Sequence, residues 1–272
     1  MARIHHLNAS TLCPTARRLV NGEGSLFERG RMICHCLLVE SEDGLVLIDS
    51  GFGLRDGQHQ EDIAWPLRLI LGAAFDPEDT AIGQVRKLGF RPEDVRHIVV
   101  THLDLDHAGG LADFPWATVH LHAAEHQAAL HPSALERPRY IQNQWAHGPK
   151  WRPYSEEGEP WLGFSALSPL DGLKDIALVP LTGHSRGHSG VLVKGPDRPI
   201  LHAGDAYFFH GELETPPRCP AGLSAFQALA QVDGKSRRAN AARLRQLHAE
   251  QGAALEIICA HDPWYLDQAT AR

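Results

Sequence analysis

The chain has no apolar stretch approaching the roughly 18–20 residues that cross a bilayer. Its N-terminal MARIHHLNASTLCPTARRLV lacks the apolar core of a signal peptide. Neither a membrane span nor a secretory leader is expected, and a cytoplasmic location follows as the default reading. Runs of Lys or Arg are also missing. Acidic residues outnumber basic ones by 33 to 26, for a net charge of −7, so nothing is built to track a phosphate backbone. Nucleic acid and membrane are not expected partners; a small molecule is. Cysteine is scarce, odd in number and scattered (Cys13, Cys34, Cys36, Cys219, Cys259), which argues against a disulfide framework. Cys34 and Cys36 flank His35 inside an apolar run and read as small buried residues on one face of a strand. The Asn8-Ala9-Ser10 sequon then reads as chance. With 43% hydrophobic and 22% charged residues in 272, a sizeable core is available and disorder is not the reading.

Apolar runs between turn signals give the architecture. MICHCLLVES, the turn Glu42-Asp43-Gly44 and LVLIDSG predict a hairpin ending at Asp49. Gly51 to Asp79 reads as loop with one short helix. TAIGQVRKLGF reads as a helix with Ile82, Val85 and Leu88 on one face, stopped at Gly89. VRHIVVT is a strand, LADFP closes a short helix at Pro115, and TVHLHAAEHQAALH is a strand running into a helix. ALVPLT, SGVLVK, PILHAG and LEIICA predict further strands, with a helix near residues 236–250. No shift in composition marks a linker, so one α/β domain over residues 1–272 is expected. Residues 132–165 break the pattern with Pro132, Pro138, Pro149, Pro153 and Pro160 among Trp145, Trp151, Tyr154 and Trp161. An excursion packed over a site and an internally packed surface loop are both open there.

What the chain has in abundance is histidine, eighteen in all. THLDLDHAGG puts His102, Asp104, Asp106 and His107 within six positions, directly after Ile98, Val99 and Val100. Crowding four such groups on one turn costs desolvation and repulsion unless a cation shares the space. Apolar runs also end at His184 (LVPLTG), Asp205 (ILHAG) and His261 (IICA). Strands that deliver polar groups from their carboxyl ends are how open sheets build sites, so the four ends are expected to converge. A lone strand-end His or Asp is more often a cap or turn residue; the cluster carries the weight. Two divalent ions and one hydroxide would bring the net charge from −7 to −4.

At these residues the chain resembles a known family. THLDLDHAGG is similar to the HxHxDH signature of the metallo-β-lactamase superfamily, LTGHSRGHSG to its TPGHTxGH element, and HAGDAYF and CAHDP to its last two ligand segments. The order and spread match from about Leu37 to Asp262, in the style of the lactonase-like branch that includes the acyl-homoserine lactonases. The resemblance implies a four-layer αββα sandwich with a dinuclear site at one edge. His102, Asp104 and His184 would hold the first metal and Asp106, His107 and His261 the second, with Asp205 between them. Asp49 and His188 would stand behind the ligands and fix their orientation. The implied ions are zinc. Asp104, where the family has His, lowers the charge of a two-metal, one-hydroxide site from +1 to 0 and admits manganese or iron more readily. The lactonase Tyr falls at Phe208, which leaves Tyr207 as the candidate catalytic tyrosine.

The function implied is metal-dependent hydrolysis, in which a metal-bridging hydroxide opens an ester or lactone. Asp106 would carry a proton to the leaving alkoxide. The aromatic stretch from Trp145 to Trp161 would wall the substrate pocket. A di-iron oxidoreductase of the same fold is the alternative that Asp104 suggests, since the flavodiiron branch also has a carboxylate there. A non-catalytic, metal-stabilised protein is the third reading, and a ligand set that leaves a position for water argues against it.

Overall fold

The computed structural model describes residues 3–271. Strands β1 (Ile4–Leu12), β2 (Met32–Ser41), β3 (Gly44–Ile48), β4 (Ala73–Ala74), β5 (Val95–Val99), β6 (Thr118–His122) and β7 (Lys150–Tyr154) form one sheet in the order β4-β1-β2-β3-β5-β6-β7. A second sheet is built from β8 (Glu159–Trp161), β9 (Phe164–Leu170), β10 (Leu173–Pro180), β11 (Ser189–Val193), β12 (Ile200–His202) and β13 (Glu256–Ile258), in the order β13-β12-β11-β10-β9-β8. The helices are α1 (Arg17–Val20), α2 (Leu54–Gln58), α3 (Trp65–Leu71), α4 (Ala81–Lys87), α5 (Leu105–Ala108), α6 (Ala123–Leu130), α7 (Ala221–Ala230), α8 (Gly234–Gln251) and α9 (Pro263–Thr270).

Strand alternation sets the layers. Leu37, Val39, Val46 and Ile48 face the second sheet and pack with Leu170, Leu178, Val191 and Val193. Their neighbours Cys36, Leu38, Leu45 and Leu47 turn the other way, onto Ala81, Ile82 and Val85 of α4 and Ala128 of α6. Leu244 and Leu247 of α8 close the far side of the second sheet. This is the expected αββα order. The β2–β3 hairpin has the expected register, with Ser41 opposite Gly44 and Leu37 opposite Ile48. Thr80, Asp233 and Asp262 cap α4, α8 and α9, each accepting a backbone N–H of its first turn. Among the described residues, no helix is long and apolar enough to cross a membrane.

Three segments differ from the sequence reading. The N-terminal arm is a nine-residue strand, β1, paired with β2 and β4. Its His, Asn and Ser residues hide the alternation, and the sequon lies within it with Ser10 buried. Helix α7 was also not anticipated. Residues 132–165 are not one loop: β7 is an edge strand of the first sheet, where Pro153 is tolerated, and β8 extends the second. Trp145 and Trp151 pack edge to face, ring centroids 6.5 Å apart, against the core under α4 and α6. Trp161 packs on the core between the sheets. These partly buried aromatics pack against the core and none lines the cavity over the ligand cluster, which corrects the reading of them as a pocket wall.

Candidate metal centre

Five strand ends reach one rim. β3 leads into Asp49, β5 into His102, β10 into His184, β12 into Asp205 and β13 into His261, while α5 carries Asp106 and His107. Among the described residues, three groups of ligand-type side chains gather here within 4.8 Å: His102, Asp104 and His184; His102, His107 and Asp205; and Asp106, His107 and His261. Asp205 stands between the outer two groups. Its Oδ1 lies 3.1 Å from His261 Nε2 and 3.3 Å from His107 Nε2. Its Oδ2 lies 3.5 Å from His184 Nε2 and 3.8 Å from His102 Nε2, and also 3.2 Å from His261 Nε2.

Two donors placed tetrahedrally at about 2.0–2.1 Å from one ion stand about 3.3 Å apart. The spacings here match that shell. The atoms are also orphaned: His102 Nε2, His107 Nε2 and Asp205 Oδ1 are buried without a hydrogen-bond partner. A buried polar atom left unpaired costs about 1–3 kcal/mol, and several aimed at one point fit a metal. The residues therefore fit a two-ion centre. A sequence profile of the metallo-beta-lactamase superfamily matches residues 29–254.

The chain belongs to the metallo-beta-lactamase superfamily.

Relatives agree over nearly the whole length. A "probable metallo-hydrolase" of Mycobacterium tuberculosis is 43% identical over 263 residues, 96% of this chain and 80% of that protein. The N-acyl homoserine lactonase AttM of Rhizobium johnstonii is 29% identical over 237 residues, 83% of this chain and 80% of the relative. A solved N-acyl homoserine lactone hydrolase, with the product N-hexanoyl-L-homoserine at its catalytic metal centre, has a TM-score of 0.71 at 19% identity and covers 99% of this chain and 95% of its own. The dizinc quorum-quenching lactonase AidC has a TM-score of 0.61 at 16% identity, covering 97% and 88%. At these identities the structural likeness speaks to the fold.

Within this superfamily frame the backing of two of the imidazoles is explicit. His107 Nδ1 donates to Asp49 Oδ2 at 2.8 Å, and His261 Nδ1 to the Ile33 carbonyl at 2.8 Å. Both Nε2 lone pairs are thereby turned to the site. Asp49 has φ +55° and also accepts from Thr101 N and Oγ1, at 2.7 and 2.8 Å. Asp tolerates that left-handed backbone better than most residues. His188 faces away from the ligand position: Nδ1 donates to the Leu181 carbonyl and Nε2 accepts the Asp205 amide at 2.9 Å. It positions Asp205. Gly204, with φ +52°, lets the chain pass His188, whose Nε2 would lie 2.7 Å from an added Cβ.

The electrostatics suit a cation. Burial disfavours a charged His107, yet the carboxylates of Asp205 and Asp49 raise its pKa well above the ordinary imidazole value. Asp205 is likewise held well below the carboxylate range, against burial, by His261 and His107. A field that favours protons on buried imidazoles also favours the ion that would displace them.

Two functional residues were missed in the sequence. Glu125 of α6 is fully buried and accepts from Leu103 N (3.0 Å), Tyr140 Oη (3.1 Å), Ser185 Oγ (2.5 Å) and Gly187 N (3.0 Å). It ties the His102 loop to the His184 loop. Gly187 allows that approach, since a Cβ there would meet the Glu125 backbone nitrogen. Arg139 donates through Nε and Nη2 to Asp104 at 2.7 and 2.8 Å and through Nη1 to the His184 carbonyl at 2.9 Å. Burial raises the Asp104 carboxyl, but Arg139, His102 and His184 outweigh it and hold the group well below the usual range. An acidic residue two places after a motif His, where the family has a second His, was the available signal for a counter-charge, but nothing local named Arg139.

Tyr207 is not brought to the site. Its side chain is 0% exposed in the core between the sheets, and its hydroxyl meets Tyr265 Oη at 2.9 Å. In the turn that follows β12 its neighbour Phe208 points the other way, to the site, and stacks on His261 at 5.0 Å. A cavity of about 620 Å³ opens over the cluster, lined by Leu67, Ile70, Leu135, Phe208, Phe226 and Val232, with Arg139 and Arg186 among its polar residues. Residues 133–139 of the irregular stretch border it, and the tryptophans do not.

Proposed function

We propose that this superfamily hydrolase opens the carbonyl–oxygen bond of an ester or lactone whose acyl part is apolar. The observation that carries the reading is Asp205, whose carboxylate lies between the two ligand groups, within 3.3 Å of His107 and His261 and 3.5 Å of His184, on the floor of a largely apolar cavity. His102, Asp104 and His184 would hold one ion and Asp106, His107 and His261 the other. When bound, the ions supply a nucleophilic hydroxide at neutral pH and polarise the substrate carbonyl. Asp49, the Ile33 carbonyl and His188 keep His107, His261 and Asp205 in orientation throughout. Phe208, flat on His261, excludes water from that side of the reacting carbonyl. With Phe208 in the lactonase tyrosine position and Tyr207 in the core, no phenol serves the leaving group. Asp106, whose Oδ2 is 3.6 Å from His261 Nε2, carries its proton.

The names of the relatives support ester or lactone chemistry over di-iron redox chemistry. The test is a panel of lactones, carboxylic esters and phosphodiesters with metal-analysed protein. For a lactone or ester, kcat/KM is expected to rise with acyl length by about 4-fold per methylene, from about 0.8 kcal/mol per buried CH₂. Chelation should abolish it, and added Zn²⁺ or Mn²⁺ should restore it. Turnover confined to phosphodiesters, or activity that survives loss of metal, refutes the reading.

A further inference from the structure

Asp104 replaces a neutral ligand by a charged one, and the structure shows what accompanies that change. Arg139 lies 35 residues away in sequence and is nearly buried, with 12% of its side chain exposed, as is Asp104 at 13%. The contact is a two-point fork, Nε to Oδ1 and Nη2 to Oδ2. Asp104 Oδ2 is also the oxygen turned to the ligand group, 3.0 Å from His184 Nε2 and 3.4 Å from His102 Nε2. Arg139 Nη2 stands 3.0 Å from that same His184 nitrogen. The guanidinium is thus anchored on the His184 carbonyl and lies against the two atoms that would bind the first ion.

We propose that Arg139 is the positioning residue and counter-charge for Asp104, the two forming one unit that stands in for the neutral histidine of the superfamily motif. This rests on reading His102, Asp104 and His184 as holders of an ion. Two divalent ions and one hydroxide carry +3, and Asp104, Asp106 and Asp205 bring that to 0. Arg139 returns it to +1, the value of a two-ion site with five neutral histidines and two carboxylates. The extra carboxylate therefore leaves the charge felt by a bound ion unchanged. The fork also fixes which Asp104 oxygen faces His184, a selection a lysine cannot make.

The unit predicts that Arg139 changes the sign of its effect with its partner. Wild type, Arg139→Gln, Asp104→His and the double variant are stripped of metal, checked for native circular dichroism and titrated with Zn²⁺ against a chromophoric chelator. With Asp104 present, Arg139→Gln should weaken the first site about 10-fold, as loss of a residue orienting a ligand does. In the Asp104→His background the guanidinium faces imidazole and ion with no carboxylate between, so Arg139→Gln should instead tighten the site by about 10-fold. Arg139→Lys, which keeps the charge, should give no such rescue. An effect of the same sign in both backgrounds, no effect in either, or rescue by Lys as complete as by Gln overturns the proposal. A merely structural ion pair would show the rescue in the unfolding of metal-free protein and not in Zn²⁺ affinity. Wild-type protein that takes one ion per chain would instead sink the ligand reading itself, an outcome that needs no variant.

Discussion

Glu125→Gln tests the scaffold that joins the two ligand loops. The carboxylate has two acceptors for four donors: Leu103 N and Tyr140 Oη on Oε1, Ser185 Oγ and Gly187 N on Oε2. Glutamine keeps the shape but turns one oxygen into an NH₂. If the amide nitrogen replaces Oε2, the Ser185 hydroxyl can rotate to accept, but the Gly187 N–H is left facing a donor. If it replaces Oε1, Tyr140 can rotate and the Leu103 N–H is left. Either way one buried backbone N–H is orphaned, at about 1–3 kcal/mol, and the surviving bonds lose their charge assistance. The expected loss is about 2–4 kcal/mol, read as a shift in the urea midpoint of metal-free protein at unchanged slope. Leu103 lies between His102 and Asp104, and Ser185 and Gly187 between His184 and His188, so Zn²⁺ affinity should fall with it. Ser185→Ala removes one donor and should cost about 1 kcal/mol. A Glu125→Gln protein within about 0.5 kcal/mol of wild type, with unchanged Zn²⁺ affinity, would refute the hub.

Tyr207→Phe removes the bonds to Tyr265 Oη and to the Ile257 carbonyl, so about 1–2 kcal/mol of stability should go while kcat stays within about 2-fold; a loss of kcat beyond about 10-fold would return Tyr207 to the chemistry. Trp151→Ala should cost about 2–3 kcal/mol, less than the about 3–5 of a fully buried aromatic, with KM unmoved. Phe226→Ala should raise KM for long-chain substrates, and the reverse pattern would place the tryptophan in the pocket. His120, buried between His97 and Tyr154, has its pKa pushed down to about 4 by burial and by His97. The ordinary value is about 6.5, so the unfolded chain takes the proton first on acidification. Stability present above pH 6.5 is lost as the pH falls toward 4, by up to about 3 kcal/mol. Asp56 and Asp113, raised to about 6 by burial, act with the opposite sign in the same window. The measurement is therefore the difference between wild type and His120→Gln at pH 7 and pH 4.5, and parallel curves would show that His120 is not held neutral.

The elements the sequence made legible are those with a short-range signature. The β2–β3 hairpin shows in a polar glycine turn between apolar runs. The strands ending at His102, His184, Asp205 and His261 show because a buried strand must be apolar and its exit need not be. The cluster from His102 to His107 shows because crowding like charges on one turn has no cheap explanation without a cation. β1 stayed hidden because its polar residues are satisfied by strands distant in sequence, as Asn8 is by the Cys34 amide.

Tertiary structure decided the rest, and for one physical reason. Which face a side chain takes, and which distant group meets it, depends on packing that no local window contains. Tyr207 and Phe208 are adjacent aromatic residues, yet the last turn after β12 buries one between the sheets and aims the other at His261. Trp145 and Trp151 look like a pocket lining and instead pack against the core, because β7 joins the edge of the first sheet. Asp104 reads in isolation as surplus negative charge. Its meaning came only when the fold brought Arg139 to it across 35 residues, since an electrostatic effect of a few ångströms' range is set by who is near in space.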